Sequence, residues 1–194
     1  MNNTINLILE QLDMDRQELD KKKNEYLLYI NEHRDNVSNA YTEYILPLMR
    51  SSNDCSLKDA IVQAGINIQY HDLSKYSKEE FEPYRYKFFP TELEKQSPTY
   101  GKRCKECFDK AWEHHHQNNP HHLEHWSTLT DKRDMPLEYI IEMLCDWSSM
   151  SMYHNSSTRE WYETEAQSDE ALYMTPYTRE WTERFLYELT PNIK

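Results

Sequence analysis

Apolar residues return at steps of three and four along most of this chain, which predicts helices rather than strands. Ile5, Ile8, Leu9, Leu12 and Leu19 mark an amphipathic helix over residues 5–20, which turns strongly charged through Asp20-Lys21-Lys22-Lys23. A second helix is expected from about Asn24 to Ile45, with Pro47 just beyond it. Tyr26, Leu27, Ile30, His33, Val37, Tyr41, Tyr44 and Ile45 form its inward face. Ser56-Leu57-Lys58-Asp59 opens a short helix through Ala60, Ile61 and Ala64, with Gly65 as its left-handed stop. Residues 67–75 begin another short helix, carrying His71, Asp72 and Lys75, and Ser77-Lys78-Glu79-Glu80 has the capping-box pattern of a helix start.

Between Phe88 and Gly101 two prolines and a glycine interrupt the pattern, and this segment is expected to cover one mouth of a site. Helix resumes from about Lys102 to His116 with Cys104, Phe108, Ala111, Trp112 and His115 on one stripe, so His115 is the inward member of three consecutive histidines. Asn118-Asn119-Pro120 ends that helix, and His121, His122 and His125 follow in a bend. Asp134-Met135-Pro136 is a helix entry with proline in the first turn. Leu137, Ile140, Ile141, Leu144, Trp147 and Ser148 form the apolar face of that helix, and Asp146 stands beside it. A short helix is expected over 158–162 and another after Thr175-Pro176, with Tyr177, Trp181, Phe185 and Leu189 on one face.

Composition supports this reading. Only 2 Gly and 8 Pro occur in 194 residues, which favours helices with short connections in an all-α, single-domain bundle. Its core is expected over about 25–165, with helices 1–22 and 175–190 peripheral. A formal charge of −12 argues against a broad nucleic-acid surface, which needs clustered Lys and Arg. A small anionic substrate remains allowed, because bound divalent cations reverse the local field. No stretch has the composition of a signal peptide or approaches the ~18 apolar residues of a membrane span, so a cytoplasmic location is expected. Cys104-Lys105-Glu106-Cys107 is a lone CxxC without a second ligand pair, and it reads as two thiols on a helix.

The candidate chemistry centres on Tyr70-His71-Asp72-Leu73-Ser74-Lys75. Consecutive residues on a regular helix point about 100° apart, so His71 and Asp72 can reach one ion only near a helix end or bend. His33 precedes the pair, Asp146 follows it, and six of the nine histidines crowd between His114 and His125. A carboxylate at Asp146 is either a surface residue with Glu142 one turn earlier or a buried one that needs a partner or a metal.

His33, then His71-Asp72 with Leu73-Ser74-Lys75, then Asp146 resembles the H…HD…D signature of the HD superfamily of metal-dependent phosphohydrolases. The longer run is similar to a group of bacterial and phage proteins with HD-like motifs. The similarity rests on Glu32-His33-Arg34-Asp35-Asn36-Val37, His71 to Tyr76 with Glu79-Glu80-Phe81, Ala111-Trp112-Glu113-His114-His115, Asn119-Pro120-His121-His122, and Met135-Pro136 through Cys145-Asp146-Trp147.

The resemblance implies that His33, His71, Asp72 and Asp146 hold a divalent ion such as Mn²⁺, Fe²⁺, Co²⁺, Ni²⁺ or Zn²⁺. His115 with His121, or His122 as runner-up, would complete a second metal position across Asp72. Asp72 and Lys75 would serve catalysis, and Lys75, Arg85 and Lys87 would face a phosphate. The implied substrate is a small phosphorylated molecule such as a nucleotide, acted on in the cytoplasm (the host's, for a phage-encoded chain), with a homo-oligomer left open. Two other readings compete: a metal-stabilised binding or phage accessory protein without turnover, and a helical interaction module whose histidine block is a surface chelator.

Overall fold

Leu19 and Asn24, expected on two helices, lie on one. In the computed structural model, which describes residues 2–153, 156–166 and 173–193 (backbone alone for 2–10 and 165–166), helix α1 runs unbroken over Asn2–Ala40. The charged run Asp20–Lys23 contains no Gly or Pro to stop it. Lys22 pairs with Glu25 at 2.8 Å, and Lys21 lies 3.8 Å from the same carboxylate, so the charges brace the helix from outside. The inward roles expected of Ile5, Ile8 and Leu9 fall outside the described side chains, and Leu12 is exposed.

There follow α2 (Leu48–Ser51), α3 (Cys55–Gln69), α4 (Phe81–Phe88), α5 (Glu92–Gln96), α6 (Tyr100–Asn118), α7 (Leu123–Trp126), α8 (Leu137–Tyr153), α9 (Thr158–Trp161) and α10 (Pro176–Arg184). Wider π turns occupy Tyr41–Ile45, Tyr162–Ala166 and Phe185–Leu189, and a 3₁₀ turn covers Leu73–Tyr76. No strand occurs among the described residues, and the protein is all-α. Among those residues no helix is long and apolar enough to cross a membrane.

The chain divides into two compact units, Met1–Asn31 with Ser74–His115 and Glu32–Leu73 with His116–Lys194. The first has a small aromatic core in which Tyr26, Ile30, Tyr84 and Ala111 are buried, with Tyr29, Phe81, Phe89, Phe108 and Trp112 packed against them. Its capping box is not the one expected. Glu80 is the residue before α4 but makes no cap bond; its carboxylate accepts from His114, His115 and Ser74 instead. A true capping box forms at Thr91 and Glu94, which start α5 in the segment expected to be irregular.

The second unit is built on α8. Leu137, Ile140, Ile141, Met143, Leu144, Cys145 and Trp147 are buried all round this helix, the signature of a central core element. α3 packs along α8, with Leu57, Ile61, Ala64 and Ile68 on its buried stripe. Asp54, rather than Ser56, caps its start by accepting from the amides of Ser56 and Leu57. Gly65 does not stop α3. The helix continues to Gln69, no glycine has a positive φ, and a Cβ at Gly65 would lie 2.5 Å from the Tyr41 hydroxyl, so the glycine admits a close neighbour. Phe185 and Leu186 lie fully buried in the same core as Leu144, so the C-terminal helical segment is part of the core rather than an appendage.

Candidate metal centre

On α8, Glu142, Asp146 and Ser149 recur at steps of four and three, which places three polar residues on one face of a mostly apolar, buried helix. Each buried polar group there needs a partner. The partners are imidazoles. Glu142 Oε1 accepts from His71 Nδ1 at 2.9 Å and lies 3.1 Å from His121 Nδ1. Ser149 Oγ lies 3.0 Å from His33 Nδ1 and also donates to the His33 carbonyl at 3.4 Å.

His33 projects from the stripe of α1 that also buries Val37 and Ala40. His71 and Asp72 follow the end of α3, and Asp72 adopts φ 56, in the left-handed region. This turn is what lets neighbours that would diverge on a helix converge on one point. Aspartate is among the few residues that enter the region routinely, at about 1 kcal/mol. Arg34, next to His33, braces the turn by donating from Nε to the His71 carbonyl at 2.8 Å and from Nη2 to the Gln69 carbonyl at 2.9 Å. The Gln69 carbonyl is one that the end of α3 leaves without an intrahelical donor, and His71 lies just beyond that end.

His33 Nε2 lies 3.3 Å from His71 Nε2, 3.3 Å from Asp72 Oδ2 and 3.2 Å from Asp146 Oδ1. His71 Nε2 lies 3.6 Å from Asp72 Oδ2 and 3.9 Å from Asp146 Oδ1. Ligand atoms about 2.1 Å from one ion stand roughly 3.0 Å apart at right angles and roughly 3.4 Å apart in a tetrahedron, so His33, His71 and Asp72 could hold a divalent cation, with Asp146 Oδ1 beside them at 3.2 Å from His33. His33, His71 and Asp72 are buried, while the Asp146 side chain is 14% exposed and marks the open side.

The other oxygens of both carboxylates face His121. Its Nε2 is 3.6 Å from Asp72 Oδ1 and 3.9 Å from Asp146 Oδ2. Ligand atoms of Asp72, His121 and His122 all lie within 4.8 Å of one another. The bend that presents this pair is held by the Trp126 indole, which donates to the Pro120 carbonyl at 2.6 Å.

Burial works against the charged form of Glu142, yet the hydrogen bonds from His121 and His71 hold its pKa down to about 2. Burial likewise opposes the charge of Asp146, and His33 outweighs it and lowers that carboxyl. Desolvation depresses His71, which favours the neutral imidazole that a metal requires. His121 is also desolvated, but Glu142 raises it.

The remaining candidates belong to the other unit. His115 is buried with Nδ1 2.8 Å from Glu80 Oε2, as its place on the inward stripe of α6 predicts. Arg85 is buried and committed: its two Nη atoms meet Glu94 at 2.7 and 2.6 Å and its Nε meets Glu82 at 3.1 Å. The phosphate contact expected of Arg85 is thus replaced by a structural ion pair that ties α4 to α5. Lys87 is exposed, with Nζ 3.3 Å from the Phe108 ring centroid, and Lys75 Nζ lies 5.7 Å from that of Tyr84. Cys104 and Cys107 are free thiols on α6, as expected.

Sequence reasoning missed Glu142, Ser149, Arg34 and Glu80 as partners of the histidines. For Glu142 and Ser149 a signal was available: with Asp146 they form a polar period of four and three inside an apolar run. For Arg34 and Glu80 no sequence signal separates these partners from ordinary surface charges.

No curated protein and no solved structure is matched by this chain. A family model does match it, over residues 22–188, a span that holds every residue of the candidate metal centre. The chain belongs to the family of unknown function DUF5662.

Proposed function

We propose that this protein is a metal-dependent phosphohydrolase of the HD type, acting in the cytoplasm on a small phosphorylated substrate such as a nucleotide. The observation that carries the reading is the convergence of His33 Nε2 and His71 Nε2, 3.3 Å apart, with Asp72 Oδ2 and Asp146 Oδ1 each 3.2 to 3.9 Å from both nitrogens, from three separate stretches of chain. The same four residues carry the sequence resemblance to the HD superfamily. A bound divalent ion supplies Lewis acidity toward a phosphoryl oxygen and lowers the pKa of water.

The chain's own groups do the rest. His33 and His71 hold the ion as neutral donors, and Asp72 and Asp146 balance its charge. Asp146, on the open side, stands where a phosphate would enter. Asp72 shares its two oxygens between the main cluster and the side of His121 and His122, which suits either one ion or two. The acidic chain as a whole favours a small substrate over a polymer.

A second reading is a metal-stabilised binding protein without turnover, and the near-complete burial of His33, His71 and Asp72 favours it. One experiment separates the two and tests both. Protein loaded with Mn²⁺ or Co²⁺ is assayed for metals per chain by elemental analysis and for phosphate release from a nucleotide panel, beside His71→Ala and Asp72→Asn. Both readings expect bound metal in the parent chain and its loss from both variants, with helical circular dichroism retained. They also expect chelation to lower the melting temperature, since an ion at one hundred times its Kd adds about 2.7 kcal/mol to the native state. Phosphate release that disappears in the variants supports the hydrolase, and metal without release supports the binding protein. Full metal occupancy in both variants refutes the site itself.

A further inference from the structure

We propose that Glu142 is a positioning residue that fixes the tautomer of His71 and His121, turning the Nε2 lone pairs of both inward; its use in holding an ion rests on the reading above. A neutral imidazole carries one proton on one of two nitrogens, and the partner of one nitrogen decides the role of the other. Glu142 is buried, with one carboxylate oxygen 2.9 Å from His71 Nδ1 and 3.1 Å from His121 Nδ1. A carboxylate can only accept, so both Nδ1 atoms must carry their protons toward it. Water favours the opposite, Nε2–H form of histidine. The single oxygen therefore imposes on two rings at once the tautomer that a metal needs at Nε2.

The geometry beyond the rings agrees. His71 Nε2 faces His33 Nε2 at 3.3 Å and Asp72 Oδ2 at 3.6 Å, and His121 Nε2 faces Asp72 Oδ1 at 3.6 Å. The two rings lie tilted at 36° to each other with centroids 4.3 Å apart, so one carboxylate can serve both. Partners of this kind in other metal sites are worth about 10–100-fold in affinity. Glu142 precedes Asp146 by one turn of α8, so one rigid helix carries both a ligand and the group that orients two more.

The test reads the tautomers without metal. Long-range ¹⁵N–¹H correlation spectra of the metal-free, ¹⁵N-histidine-labelled protein are recorded at pH 8.5, assigned with His71→Gln and His121→Gln. The expected result is the Nδ1–H form for His71, with a proton on Nδ1 of His121 as well. In Glu142→Leu no acceptor remains for either Nδ1–H, so both rings are expected to shift to the Nε2–H form. Co²⁺ affinity should fall about 10–100-fold by titration calorimetry. Glu138→Gln, elsewhere on α8, should change neither.

An Nε2–H form for His71 in the parent protein overturns the proposal, and so do unchanged tautomers of both rings in Glu142→Leu. A tautomer change in a protein that binds no Co²⁺ upholds the clamp and refutes the metal centre instead.

Discussion

Replacing Gly65 by alanine sets two effects of opposite sign against each other. In the interior of α3 the change should stabilise by about 1 kcal/mol, because alanine is the better helix former. The new Cβ, however, would stand 2.5 Å from Tyr41 Oη and 2.9 Å from its Cζ, well inside contact distance. Tyr41 cannot yield cheaply, since its hydroxyl donates to the Ile61 carbonyl at 2.9 Å. Displacing the ring forfeits that bond at about 1 kcal/mol and adds packing strain of about 1–3 kcal/mol. The net expectation is destabilisation of about 1–3 kcal/mol, read as a lower urea midpoint for the metal-free protein at unchanged m-value.

A double-mutant cycle with Tyr41→Phe identifies the cause. Removing the hydroxyl takes away the nearer of the two contacts, so the two changes should couple favourably by at least about 0.5 kcal/mol. A midpoint that rises in Gly65→Ala would refute the close approach. A fall that Tyr41→Phe does not relieve would return Gly65 to the role of helix stop, where the cost lies in a left-handed backbone and not in a neighbour.

Two further tests probe the supports of each unit. Tyr162 is buried and donates to Glu183 at 3.0 Å, and burial pushes its phenol up to about 12. Its folded pKa lies above the unfolded value of about 10, so its contribution is complete below pH 10 and lost as pH rises to 12, up to about 2–3 kcal/mol. Urea midpoints at pH 9 and 11 should therefore fall less in Tyr162→Phe than in the parent, and equal falls would refute this. In the first unit, Arg85→Lys exchanges a bidentate pair with Glu94 for a point charge and should cost about 1–3 kcal/mol in thermal unfolding. An unchanged melting temperature would reopen a ligand-facing role for Arg85.

The helical class was legible in the sequence because it depends on short-range periodicity. The stripes that put His33 and His115 inward, and the proline and asparagines that bend the chain before His121, are local signals as well. The argument that adjacent His71 and Asp72 can share a target only at a helix end was also local, and α3 does end just before them. What the sequence could not show is how the turn is made. Gly65 looked like the left-handed residue, yet the positive φ belongs to Asp72, because packing against Tyr41 claims the glycine and Arg34 claims the carbonyls at the end of α3. Glu80 matched a capping box in sequence, but two imidazoles offer a buried carboxylate more than a pair of exposed amides would. Glu142 looked like a surface residue until burial gave it His71 and His121, from stretches far off in sequence. Pattern reading finds which face of an element is apolar; which partner satisfies a buried charge is decided by residues distant in sequence, and only the folded chain brings them within hydrogen-bonding reach.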